Sequence, residues 1–167
     1  KKEEQPTAMF CLSPEMLRYG LDEDSLCLIH SIEGAHSLQG EVTGKSFDEQ
    51  LMSSAEEIEE EVLANLEYFH NRGVAYITLA HFYPNVVAYP VFPYPEYGLK
   101  HTNWEKLLGR WDMNNGISEI GLKVVESMLD LGMLIDISHC TLNARKRIYE
   151  IVDHHKKKQC LVATHVG

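Results

Sequence analysis

Four short stretches of the chain are almost continuously apolar: "SLCLIHSIEG" (25–34), "VAYITLAHF" (74–82), "GMLIDISH" (132–139) and "CLVATHVG" (160–167). Each is rich in β-branched or aliphatic residues and bounded by glycine or polar residues. Runs apolar on both faces predict strands of a parallel sheet covered on both sides. Between them the apolar spacing changes to that of helices. In "SSAEEIEEEVLANLEYFHNRG", Ser53 and Ser54 each precede a glutamate by three residues, the spacing of a capping box. Ile58, Val62, Leu66 and Phe69 then recur on one face, and Gly73 supplies the stop. The acidic run Glu56–Glu61 reads as the solvated face of that helix, placed favourably at its N-terminus. A second helix is predicted from Ser118 to Leu131, ending at Gly132. A third starts after Thr141 and carries Ala144, Ile148, Ile151 and Val152 to a lysine-rich end, with His154 and His155 exposed there.

The order is strand, helix, strand, long loop, helix, strand, helix, strand. This is an α/β chain with parallel crossovers, and residues 1–167 read as a single domain. Residues 83–115 form the long loop. It begins in "FYPNVVAYPVFPYPEYG" (82–98), whose four prolines and four tyrosines rule out a regular helix or central strand. It reads either as an ordered loop over a pocket or as an inert surface excursion, and its place directly after a strand ending in His81 favours the pocket.

Composition removes several classes of function. Fifteen Lys and Arg against 25 Asp and Glu give a formal charge of −10 with His neutral, which speaks against nucleic acid or an anionic membrane surface as partner. No apolar run approaches the ~20 residues of a membrane-spanning helix. The opening "KKEEQPTAMF" has no apolar signal core. Cys11, Cys27, Cys140 and Cys160 form no CxxC pair, and the three in or beside apolar, strand-like runs read as small buried hydrophobes. Nothing demands an oxidising compartment, which favours the cytoplasm without fixing it.

Ligands of parallel α/β sheets and barrels bind at the carboxyl ends of the strands. Each apolar run carries a titratable residue at that end: Glu33, His81, His139 and His165. One carboxylate and three imidazoles on a shared edge are the groups that hold a divalent metal or move protons. Singly, each histidine is better explained by packing or exposure to solvent; agreement in position distinguishes these from His30, His36, His70 and His101. Of those four, His36 lies close enough to Glu33 to be a candidate beside the site. Strict alternation puts Asp136 and Ser138 on the face opposite His139. Either the strand end bends, or Asp136 turns to a partner of its own; orienting a ligand histidine is one role open to it.

At these residues the chain resembles the membrane dipeptidase (renal dipeptidase) family of zinc metallopeptidases, which are amidohydrolase-like TIM barrels. The stretches that carry the resemblance are "IEGAHSL" (32–38), "GVAYITLAHF" (73–82), "NNGISEIGLKVVESMLDLGMLIDISH" (114–139) and "LVATH" (161–165). The resemblance implies a partial (β/α)8 barrel of about four parallel strands. It places Glu33 as the carboxylate bridging two zinc ions, His139 and His165 as the histidines completing one metal's ligands, and His81 as the residue contacting substrate. The implied reaction is cleavage of dipeptides or related amides by a metal-bound hydroxide at a two-metal site, with a small molecule as partner. Manganese, iron or cobalt suits such donors as well.

The family also uses a His-x-Asp pair on its first barrel strand, yet residues 1–24 contain no histidine. The tyrosine- and proline-rich loop and "EGA" in place of "EGG" depart from its pattern too. The chain is therefore expected to be part of a longer enzyme, or to cover its open edges by association with copies of itself. The competing expectation is a catalytically inactive barrel remnant with a binding or structural role.

Overall fold

The computed structural model describes residues 7–40, 44–92, 102–111 and 116–165. Strand β1 (Ala8–Phe10), helix α1 (Pro14–Asp22) and strand β2 (Leu26–Leu28) come first. After Ile29, strand β3 (His30–Glu33) leads to a short 3-10 turn (Ala35–Leu38) and helices α2 (Phe47–Met52) and α3 (Ala55–His70). Then follow β4 (Val74–Thr78), α4 (Thr102–Trp111), α5 (Glu119–Leu131), β5 (Leu134–Asp136), α6 (Leu142–His154) and β6 (Leu161–Val162). Strands β1 and β2 form a parallel pair, and β3-β4-β5-β6 form a parallel sheet whose spatial order is its chain order. Parallel neighbours need crossovers, and helices supply them: α3 between β3 and β4, α5 between β4 and β5, α6 between β5 and β6. This is the winding of a β/α barrel.

Local chemistry sets the helix ends. Ser54 Oγ accepts from the Glu57 amide at 3.1 Å while the Ser54 amide donates to Glu57 Oε2 at 2.8 Å, a complete capping box for α3. Ser53 instead closes α2, which Ser46 and Glu49 cap in the same way. Ser118 caps α5, and Gly132, at φ 79°, ends it in the left-handed conformation that costs glycine least. Thr141 caps α6. Helix α3 buries Ile58, Val62 and Leu66, and α5 buries Val124, Val125, Met128 and Leu129. With Ile77 and Ile135 from the strands, these side chains make one core on the helical side of the sheet. No helix among the described residues is long and apolar enough to cross a membrane.

Several elements differ from the sequence expectation. The strands are shorter than the apolar runs, and the first run breaks at Ile29, with an irregular register between His30 and Ser31. Part of the 83–115 segment is not loop: Thr102–Trp111 is helix α4, whose Trp104 and Leu107 are fully buried. Its Trp104, Leu107, Leu108 and Trp111 recur at helical spacing, a signal overshadowed by the prolines before it. Residues 83–92 are irregular, as expected of a loop, and residues 93–101 and 112–115 of that segment lie outside the described residues. His154 is exposed, but His155 folds against Asp130, its Nε2 3.5 Å from the carboxylate. The four cysteines are free; Cys11 and Cys140 are buried, whereas Cys160 is exposed.

Candidate active and metal site

The sheet register explains why side chains distant in sequence meet. Glu33 pairs with Thr78, Thr78 with Asp136, and Asp136 with Val162, so these four residues form one row across β3 to β6. His81, His139 and His165 each stand three residues beyond their member of that row. Equal offsets from neighbouring positions of one row deliver the three imidazoles to one place, beside the carboxylate that ends β3.

Around Glu33 Oε1 lie the Nε2 atoms of His165 at 3.2 Å, His139 at 3.5 Å and His81 at 3.6 Å. The Nε2 atoms of His139 and His165 are 2.8 Å apart. Glu33, His139 and His165 each offer a ligand atom within 4.8 Å of the others, the chemistry of a divalent-metal donor set. His81 meets His139 edge-on, ring centroids 4.9 Å apart, at the rim of this group. His36 stays outside it. Its ring lies 6.2 Å from that of His81 and 5.0 Å from Tyr83, forming an aromatic shelf beside the site.

The backbone turns that aim these groups are visible. Gly34 has φ +101°, and a Cβ there would lie 2.4 Å from His36 ring atoms and 3.0 Å from His81 Cβ, so glycine is required. His139 adopts φ 62°, a left-handed residue just past the strand. That bend removes the conflict with strict alternation: β5 stops at Asp136, and His139 turns back towards Glu33. The Pro- and Tyr-containing segment that follows His81 packs here too. Val91 donates its amide to the His139 carbonyl at 2.7 Å, and Phe82 lies 4.9 Å from the His139 ring.

Burial, then repulsion from His81 and His165, lowers the His139 pKa against the pull of Glu33 and favours the neutral ring. Asp136 is fully buried and has partners of its own. It accepts from Thr78 Oγ1 at 2.7 Å, Thr164 Oγ1 at 2.6 Å, Ser138 Oγ at 2.7 Å and the Ser138 amide at 2.9 Å. Burial alone would raise its pKa, but these hydrogen bonds outweigh it and hold the carboxyl down at about 2. The network ties together the ends of β4, β5 and β6. Thr78, Ser138 and Thr164 gave no signal in the sequence beyond their nearness to Asp136 and the histidines.

The family "Membrane dipeptidase (Peptidase family M19)" matches residues 51–154, more than half of the chain. The chain belongs to the membrane dipeptidase family. No curated protein matches it. Among solved structures, this membrane dipeptidase family chain is similar to the probable dipeptidase PvdM from Pseudomonas aeruginosa, with a TM-score of 0.56 and 21% identity over 86% of the chain. It is also similar to an amidohydrolase from Pseudomonas aeruginosa, with a TM-score of 0.55 and 15% identity over 90% of the chain. Those likenesses show the fold, a partial TIM barrel. The chain spans 28% and 33% of the two structures' lengths.

Proposed function

We propose that the protein is a metal-dependent hydrolase of dipeptides or related small amides, with Glu33, His139 and His165 holding a divalent ion and His81 contacting substrate. The observation that carries this reading is the convergence of Glu33 Oε1 with the Nε2 atoms of His139 and His165. One carboxylate oxygen and two imidazole nitrogens fit zinc, and would also accept manganese, iron or cobalt. The lowered pKa of His139 favours the neutral form that a metal requires. Glu33 is half exposed, which leaves its carboxylate accessible to a second ion. Held by Glu33, His139 and His165, a zinc ion would supply a Lewis acid and would lower the pKa of a bound water.

The chain's own groups do the rest. Glu33 and the two histidines fix the position of the charge. His81, with its Nε2 at the rim, donates a hydrogen bond to the substrate oxygen as negative charge develops on it. The tilted rings of His36 and Tyr83 offer an aromatic surface for an apolar side chain beside the scissile bond.

Turnover of a dipeptide panel by the intact protein tests this reading. Hydrolysis lost on chelation and regained with zinc is expected. Full activity after exhaustive chelation, or no turnover of any amide by zinc-loaded protein, would refute it.

A further inference from the structure

We infer that the Thr164 hydroxyl, held by the Asp136 carboxylate, decides which nitrogen of His165 carries the proton, leaving the Nε2 lone pair facing Glu33 and His139. The proton placement is argued from the Thr164–Asp136 hydrogen bonds. Only its use, presenting a ligand to a metal, rests on the functional reading above.

A hydroxyl has one proton to give and two lone pairs, whereas an ionised carboxylate only accepts. Thr164 Oγ1 lies 2.6 Å from Asp136 Oδ2 and therefore spends its proton there. Thr78 and Ser138 cannot relieve it, because their hydroxyls also donate to Asp136, each at 2.7 Å. Ser138 Oγ, at 3.5 Å, is a poorer alternative acceptor for Thr164. Thr164 Oγ1 thus has only lone pairs to offer His165 Nδ1, 2.9 Å away. The Thr164 contact places the N–H on Nδ1, and in a neutral ring Nε2 then carries the lone pair, against the competing pull of Glu33 Oε1, an acceptor 3.2 Å from Nε2. In the metal-free protein the 2.8 Å approach of the His139 and His165 Nε2 atoms needs a proton on one of them; with His165 presenting its lone pair, that proton is on His139 Nε2 and would leave when an ion binds. Ser138 Oγ adds a second restraint by accepting the His165 amide at 3.3 Å. Asp136 and Thr164 are positioning residues: they touch neither substrate nor metal and act through His165.

Nitrogen-15 long-range spectra of the intact, metal-stripped protein at about pH 8, above the ordinary histidine range, test the inference. The expected signature is a protonated, pyrrole-type Nδ1 and a pyridine-type Nε2 on His165. Thr164→Val keeps the β-branched shape but removes the hydroxyl. It should abolish the tautomer preference and weaken zinc binding roughly 10- to 100-fold, and Thr164→Ser should restore both. A native spectrum with the proton on Nε2 overturns the inference whether or not either variant folds. So does a Thr164→Val protein with an unchanged tautomer. A native protein that binds no zinc yet keeps its proton on Nδ1 supports the proton placement and removes the metal reading instead.

Discussion

Replacing Asp136 by asparagine is the most informative perturbation of the fold. The side chain is 0% exposed, and three hydroxyls and two amides converge on its two oxygens. An asparagine in its place would retain one acceptor oxygen and turn an NH2 group towards donors. Hydrogen bonds to a charged group are worth about 1.5–3 kcal/mol each, and rotatable hydroxyls recover part of the loss, so Asp136→Asn should cost about 3–5 kcal/mol. A second signature separates charge from shape. The Asp136 pKa falls from the ordinary 3.8 to about 2 on folding, which corresponds to about 2 kcal/mol. Because the folded value is the lower one, this stabilisation is complete above the unfolded pKa and drains away as pH falls towards the folded one. Urea unfolding of wild type and Asp136→Asn, measured stepwise in pH, should show their difference narrowing by about 1 kcal/mol between pH 5 and pH 3. The other carboxylates are common to both proteins and cancel. A difference that stays constant over that range, or a variant as stable as wild type at neutral pH, would refute the account of the network.

Other outcomes follow from local geometry. Gly116 (φ +80°) would place a Cβ 2.0 Å from Thr141 Oγ1, whereas a Cβ on Gly132 (φ +79°) would meet nothing within 4 Å among the described residues. Gly132→Ala should therefore cost only the left-handed penalty of about 1–2 kcal/mol, and Gly116→Ala clearly more, read by thermal unfolding. Thiol reagents should label exposed Cys160 first in the native protein. Cys140, 1% exposed and with its thiol pushed up to about 12 by burial, should react only on unfolding. His81→Ala should keep its zinc but lower turnover by about 10²- to 10³-fold, as loss of an oxyanion donor does; loss of metal on that substitution would reassign His81 as a ligand.

The parts of this architecture that show plainly in the sequence are those with long, uniform patterns. Helix α5 announces itself by Ser118, Gly132 and an almost unbroken apolar face, and α3 by its capping box and the Ile58–Val62–Leu66 spacing. Strand runs are recognisable, but their ends are not, because an apolar residue such as Leu79 or Ile137 is buried whether or not it stays in the ladder. Strand β1 is only three residues long, and α2 only six, too short for a period to emerge. Within the site, a titratable residue at each strand end sufficed to bring Glu33, His81, His139 and His165 forward. What no linear pattern contains is the register that fixes their common offset. Nor does it contain the left-handed turn at His139 or the hydroxyl cluster around Asp136, since these depend on which strands are neighbours.

Metal placement tests the central claim most directly. Zinc-edge anomalous scattering from crystals of the zinc-loaded intact protein should give a peak bonded to a Glu33 carboxylate oxygen and to Nε2 of both His139 and His165, at the ~2 Å of zinc–oxygen and zinc–nitrogen bonds. A peak elsewhere, or no peak with those three side chains left as they are, would contradict it.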